Sequence, residues 1–305
     1  MKNIINYYYN FDITELRNIN NDYVFKNNGK SYLFCRIDDE FNYRDFELLL
    51  SEINKFKVFH TVVANRNNML YTFDGINRYI MFKLNFVGNR YISIDDVVGL
   101  QQIIVTSTKL NTNFDWLNLW KHKVDYLEYY MNTKDNINDE IKCIFYYFIG
   151  ISENSIKYIE HILELRKNSI DKLSICHKRL NTKYTLYDFY NPINIVIDHA
   201  SRDIAEYLKS MFINKDYNSK KIIDLISKIN LSNFGYGLLL GRIAFPTFFF
   251  DLIDRQETLQ FSESEILGIY DRASEYEQFI FMVFNIIKNT KKINIPSIGW
   301  LAKRR

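Results

Sequence analysis

LSICHKRLNTKYTLYDFYNPINIVIDHASRDIAEYLKSMF, residues 173–212, is the stretch on which the reading of the fold turns. It opens with a short apolar segment ending in Cys176-His177. A loop follows, then an apolar strand over Asn194–Ile197, an acidic turn beginning at Asp198, and an amphipathic helix. A carboxylate just past the C-terminal end of a buried strand, close to a helix start, is placed to aim its charge into a cleft. Asp198 holds that position.

The chain's 305 residues suffice for a substantial core, as one large domain or two lobes. Hydrophobic residues are 47% and charged residues 25%, the ordinary balance of a globular protein. The net charge of +3 comes without a basic block or an RNA-binding signature, so nothing points to nucleic acid as a partner. The terminal Lys303-Arg304-Arg305 is too short to count as a nucleic-acid tail. Cys35, Cys143 and Cys176 are odd in number and far apart, with no zinc spacing, so reduced thiols in a cytosol-made protein are expected. Met1–Tyr7 has no continuous apolar signal core. The longest apolar run, near Gly235–Ile253, carries Arg242 and Asp251, so no membrane span is expected.

Residues from about 20 to 90 read as a small β-rich lobe. Tyr23–Phe25 and Ser31–Ile37 flank Asn27-Asn28-Gly29-Lys30, a turn suited to positive φ, and predict a hairpin. Phe46, Leu49, Leu50 and Ile53 share one face of a helix expected over Asn42–Phe56. Strands are then expected over Val58–Val63, Met69–Phe73 and Arg78–Leu84, the last two flanking an Asp74-Gly75 turn. Two strands, a helix and three strands is the order of a kinase N-lobe. From about 95 onward the pattern is helical. Trp116, Trp120, Val124, Leu127 and Met131 form an apolar stripe, read as core packing. Residues 140–165 supply another helix or two, and 219–230, 233–253, 263–272 and 275–289 supply more, with Pro246 kinking or breaking the second of these.

Several segments together carry a family resemblance. They are Asp115-Trp116-Leu117-Asn118-Leu119-Trp120 with Lys123 to Glu128, Ile175-Cys176-His177, and Val196-Ile197-Asp198-His199 with Ser201–Glu206. Leu239–Phe250 (LLGRIAFPTFFF) and Ile295–Leu301 (IPSIGWL) complete the set. The chain resembles the CotS/YutH-type spore coat proteins, which share the fold of aminoglycoside phosphotransferases and choline kinases. The resemblance implies an α+β, two-lobed protein-kinase-like fold, with a β-rich N-lobe over 1–90 and a larger, mainly helical C-lobe over 91–305.

Phosphoryl transfer in that fold uses an N-lobe Lys held by a helix Glu, a catalytic-loop Asp as base, an Asn five residues on, and a metal-holding Asp after the next strand. Here the loop reads His177-Lys178-Arg179, so Arg179 stands at the base position and Tyr184 at the Asn position. Arginine neither accepts a proton at neutral pH nor ligates Mg²⁺. Arg36 matches the Lys position, where it can meet a phosphate or a carboxylate such as Glu47 or Glu52. Asp188, in the same loop, is a substitute base, and Asp198 is the single surviving candidate metal ligand. His177 is expected to brace the loop through the backbone, and Cys176 to be buried and inert. Lys178 and Arg179 are either a solvated pair or a salt bridge to Asp198 that puts a cation where the metal would sit. Asp198, Arg202, Asp203 and Glu206 also suit an ion-pair network that pins the turn to its helix, with Arg202 and Glu206 at i,i+4.

Two functions follow from the resemblance. The first is a degenerate kinase-like component of the spore coat, made in the mother cell without a signal peptide, deposited around the forespore, and touching other coat proteins. The second is a phosphotransferase using ATP and Mg²⁺ on a hydroxyl of a sugar, choline-like or aminoglycoside-like acceptor. The His177-Lys178-Arg179 loop favours the first.

Overall fold

A computed structural model describes residues 1–19, 22–38, 41–86, 90–103, 105, 115–133, 137–165, 171, 173–254 and 263–302. The terminal Lys303-Arg304-Arg305 lies outside them, as do 87–89 near the expected lobe boundary. The chain divides into two compact units, one of residues 1–92 with 183–196, the other of 93–182 with 197–305.

In chain order the first unit begins with α1 (Lys2–Tyr9), β1 (Arg17–Ile19), β2 (Asp22–Asn27) and β3 (Lys30–Ile37). It continues with α2 (Tyr43–Ile53), β4 (Thr61–Val63), β5 (Tyr71–Phe73) and β6 (Arg78–Lys83). The strands make one antiparallel sheet in the order β1-β2-β3-β6-β4, with β5 also paired to β6. The β2–β3 turn closes through Asn28 and Gly29, with φ of 48° and 72°. Both central residues thus have the positive φ that fits the right-handed twist of a hairpin. Helix α2 is shorter than the 42–56 expectation at both ends: Asn42 caps its start, its side-chain oxygen accepting from the Asp45 N–H at 3.1 Å, and the helix stops at Ile53 with Asn54 as its C-cap. The strands β4 and β5 are likewise shorter than their apolar runs.

Two elements of this unit go beyond the sequence expectation, α1 and β1. Ile5 and Tyr9 of α1, with Ile13 behind them, pack with Phe25, Tyr32, Phe34, Tyr79 and Met81 of the sheet. The Tyr9 hydroxyl shares a hydrogen bond with Thr72 Oγ1 at 2.9 Å, and burial pushes its pKa up to about 12. Alternating residues of β3 are buried on both faces from Tyr32 to Cys35, so the sheet is a two-sided core rather than a one-sided cover.

The second unit begins with α3 (Ile94–Gln101), α4 (Asp115–Thr133), α5 (Asp139–Glu164) and β7 (Leu173–His177). Residues 140–165 are one helix, not two. The chain then returns to the first unit through α6 (Leu186–Phe189) and a 3₁₀ turn, Pro192–Asn194. Strand β8 (Ile195–His199) pairs with β7 and leads into α7 (Ser201–Ile213), α8 (Ser219–Lys228), α9 (Asn233–Ala244) and α10 (Thr247–Asp254). Helices α11 (Glu263–Tyr270), α12 (Ala273–Lys291) and α13 (Gly299–Ala302) finish it. Pro246 breaks the expected 233–253 helix into α9 and α10, bent by 46°. Among the described residues no single helix is long and apolar enough to cross a membrane.

Helix α9 is buried from Gly235 to Ala244. It approaches α5 closely at Gly237 and Gly241, which face Ile162 and Ile159. A Cβ on Gly241 would come within 2.6 Å of Ile159 Cγ1. Gly241→Ala gains up to about 1 kcal/mol of helix propensity, but overpacking a rigid core costs about 1–3 kcal/mol. A net loss of about 1–2 kcal/mol is expected in urea denaturation. A variant as stable as the parent would show that α5 yields there.

Candidate functional site

Strand β7 delivers His177 and strand β8 delivers Asp198, each at the C-terminal end of an apolar run, and α7 starts immediately after. His177 is fully buried. Its backbone N–H donates to Asp203 Oδ1 at 2.7 Å, and its Nδ1 meets Asp203 Oδ2 at 2.7 Å. One carboxylate from the first turn of α7 therefore fixes both the strand end and its imidazole. Cys176, beside it, is also buried, and burial with the nearby Asp203 and Asp198 pushes its thiol well above the ordinary range. It is not a reactive thiol.

Asp198 is the centre of the arrangement. Its Oδ1 accepts from the His199 N–H at 2.6 Å and from an Arg242 terminal nitrogen at 3.0 Å. Its Oδ2 accepts from that same nitrogen at 2.9 Å and from Arg202 Nη1 at 2.9 Å. A carboxylate offers about four lone-pair sites, and all are used. Burial alone would push the Asp198 carboxyl up. Arg242 and Arg202 outweigh it and hold the group below the usual carboxylate range. Arg242 reaches it from α9 and is buried, its guanidinium lying 4.0 Å from the centre of the Trp116 ring. Arg202 also donates to the His177 and Lys178 carbonyls at 2.8 and 3.0 Å.

Arg179 does not reach Asp198. It forms a two-point fork with Asp251 of α10, at 3.0 and 2.7 Å. The expected Arg179–Asp198 bridge is thus corrected: a cation does sit on Asp198, but it comes from α7 and α9. Arg202 spends its charge on Asp198 four residues back rather than on Glu206. Glu206 pairs instead with buried Lys209 at 2.6 Å, and Lys209 donates to Thr247 Oγ1 at 2.8 Å. Burial pushes the Lys209 pKa down. Lys178 is exposed.

His199 is a clamp between elements. The Ser201 N–H donates into its Nδ1 at 3.1 Å, so Nε2 carries the proton and donates to Asp171 at 3.2 Å. Asp171 in turn accepts from the Ser232 N–H and hydroxyl at 2.7 and 2.6 Å, at the start of α9. With both ring nitrogens used, His199 has no lone pair for a metal. Among the described residues no group of three His, Cys, Asp or Glu is placed to hold a metal ion. The donor set around Asp198, one saturated carboxylate between two guanidiniums, does not fit Mg²⁺, which needs near-octahedral oxygen ligands.

Asp188 lies in the first unit. Its carboxylate accepts from the Thr185 N–H and hydroxyl at 3.0 and 2.8 Å, closing a capping box at the start of α6. It is engaged as a helix cap. Arg36, also in the first unit, is exposed on β3 and forms no ion pair with Glu47 or Glu52. Helix α2 turns Phe46, Leu49, Leu50 and Ile53 inward, which leaves Glu47 exposed. Glu52 meets Lys55 at 2.8 Å. Arg242 and Asp251, which complete the arrangement, were not singled out as site residues from the sequence. Arg242 lies 44 positions from Asp198, and its only sequence signal was its place inside the apolar LLGRIAFPTFFF segment.

The family model described as "Spore coat putative kinase YutH" matches residues 2–283. The endospore coat-associated protein YutH of Bacillus subtilis is 27% identical over 208 residues, a match covering 62% of this chain and 61% of that protein's length. Among solved structures, spectinomycin phosphotransferase APH(9)-Ia, in complex with ADP and spectinomycin, is similar with a TM-score of 0.62 and 13% identity. That match covers 93% of this chain and 97% of the other. An aminoglycoside phosphotransferase from Alicyclobacillus acidocaldarius matches with a TM-score of 0.59 and 12% identity, over 96% and 97% of the two chains. The expected two-lobed kinase-like α+β fold is therefore the observed one. At such identities the solved structures speak for the fold alone.

Proposed function

The chain belongs to the spore coat YutH family, and from that premise we propose that it is a coat component that keeps a phosphotransferase fold as a scaffold, with little or no phosphotransferase activity. The observation that carries this reading is the state of Asp198. A carboxylate whose lone pairs all go to His199 N–H, Arg202 and Arg242 has none left for a metal. The base position supports the same conclusion, since Arg179 there is tied to Asp251. A missing general base alone costs about 10²–10⁴ in rate, and a missing metal adds to that. Other coat proteins are the partners that family membership suggests.

The test is release of ADP from ATP by the purified protein with Mg²⁺, in the presence of spectinomycin, choline or a simple sugar. No release above the protein-free rate is expected. Release that disappears in Asp198→Ala, with the variant still folded, would sink the reading. It would establish instead a small-molecule phosphotransferase using ATP and Mg²⁺. A fluorescent fusion is expected to ring the developing spore.

A further inference from the structure

Helix α12 has more apolar surface than the core uses. Phe279, Val283 and Ile287 recur four residues apart and are buried, as a core-facing stripe is. Phe281, Phe284, Asn285 and Lys288 recur at i, i+3, i+4 and i+7 and form a second stripe. This stripe lines a cavity of about 360 Å³, a volume within the range of small-molecule sites. Leu240 of α9, with Ile298 and Leu301 of the C-terminal segment, adds to its apolar wall. Phe281 is exposed and Phe284 half-buried, so neither ring is spent on the core.

The polar side chains of the lining are Lys288, Asn285 and Ser297, each able to donate a hydrogen bond. None has a hydrogen-bond or ion-pair partner among the described residues. No carboxylate among those residues lines the cavity. Lys288 stands in the last turn of α12, where the helix dipole favours a cation. That accounts for the charge, but neither for the second aromatic stripe nor for the cavity beside it.

We propose that this cavity binds a small alkyl monocarboxylic acid, its chain among Phe281, Phe284, Leu240 and Ile298 and its carboxylate held by Lys288. A carboxylate only accepts hydrogen bonds, which Lys288, Asn285 and Ser297 can all supply. One ammonium balances one negative charge, whereas a phosphate monoester, with a charge of about −1.5 to −2, would be left in excess. The site is separate from Asp198. Leu240 lies about 200° around α9 from Arg242, on the opposite face of that helix. Binding here therefore neither supports nor weakens the reading of Asp198.

Isothermal titration calorimetry of the full chain tests this with butanoate, hexanoate and octanoate. Affinity is expected to rise about fourfold for each methylene buried. Octanol and octylamine, which keep the chain but lack the anion, are expected to bind more weakly than octanoate. Lys288→Met is expected to weaken octanoate about two- to fivefold, the range of an exposed ion pair, and to leave octanol unchanged. Ser297→Trp, an exposed change that fills the mouth, is expected to abolish binding of both. Lys288 and Ser297 are both exposed, so the variants are expected to fold, with far-UV circular dichroism as the control. Four outcomes would each overturn the proposal: no saturable binding of any acid, an affinity independent of chain length, octylamine binding as tightly as octanoate, or octanoate binding equally to the parent and both variants.

Discussion

Asp198→Ala is expected to lose about 3–5 kcal/mol of folding stability, the cost of removing one partner from a buried ion pair. The reason lies in what remains. Arg242 is buried, burial already pushes its guanidinium pKa down, and Asp198 is the anion that offsets this. Without it, two like charges face each other in a low-dielectric setting, with the His199 N–H left unpaired as well. A metal-holding carboxylate behaves in the opposite way, because it sits in excess negative charge and its removal relieves repulsion. Urea denaturation followed by circular dichroism separates the two cases. The double variant Asp198→Ala/Arg242→Met is expected to recover much of the loss, since the buried cation leaves with its partner. A single variant within about 1 kcal/mol of the parent would contradict the buried pairing.

This pairing marks the limit of what the sequence discloses. Local chemistry was legible: Asn28-Gly29 as a hairpin turn, Pro246 as a helix break, and Phe46, Leu49, Leu50 and Ile53 as one helix face. These signals lie within a few residues of their effect. Helix α1 was not legible, because its start has no side-chain cap and its run of tyrosines suits strand as well as helix. It forms against the sheet, through Ile5 and Tyr9. At the site, Asp198 was legible as a carboxylate at the end of an apolar strand, and His177 and Arg179 were placed by the family resemblance. The partners Arg242 and Asp251 were not, because an ion pair between α9 and β8, or between α10 and the loop after β7, depends on packing. Of the local network expected among Asp198, Arg202, Asp203 and Glu206, the Asp198–Arg202 bridge forms and the Arg202–Glu206 one does not, for a physical reason. Asp198 also lies four residues from Arg202, on the other side, and with the His177 and Lys178 carbonyls it offers the guanidinium more acceptors.

The second large effect concerns His60 and acid. His60 is buried between β4 and the returning segment 183–196 of the first unit. The Asn85 N–H donates to its Nδ1 at 3.3 Å, and Nε2 faces the Tyr187 carbonyl at 2.9 Å. A backbone N–H can only donate and a carbonyl can only accept, so Nδ1 is bare and Nε2 carries the proton. Its own N–H donates to the Tyr190 carbonyl at 3.0 Å. Protonation at Nδ1 sets two donors against each other inside the core. Burial lowers the His60 pKa from 6.5 to about 4, opposed only in part by the Tyr187 carbonyl and the Asp188 charge. The unfolded chain therefore binds the proton first. The stability is fully present above about pH 6.5 and is lost progressively as pH falls toward 4. With about 1.4 kcal/mol per pKa unit, the loss over that window is roughly 3 kcal/mol. Urea midpoints at pH 7.5, 5.5 and 4.5 measure it. His60→Gln, whose amide can donate to Tyr187 but has no proton to gain, is expected to start less stable and to flatten the dependence between pH 6.5 and 4.5. Asp198 and Glu206, both held below their ordinary range by their cations, add a further loss only below about pH 4.5, where carboxylates of the unfolded chain take up protons. The two windows separate the imidazole from the carboxylates. A parent and His60→Gln with parallel profiles above pH 4.5 would show that His60 is not the group that titrates.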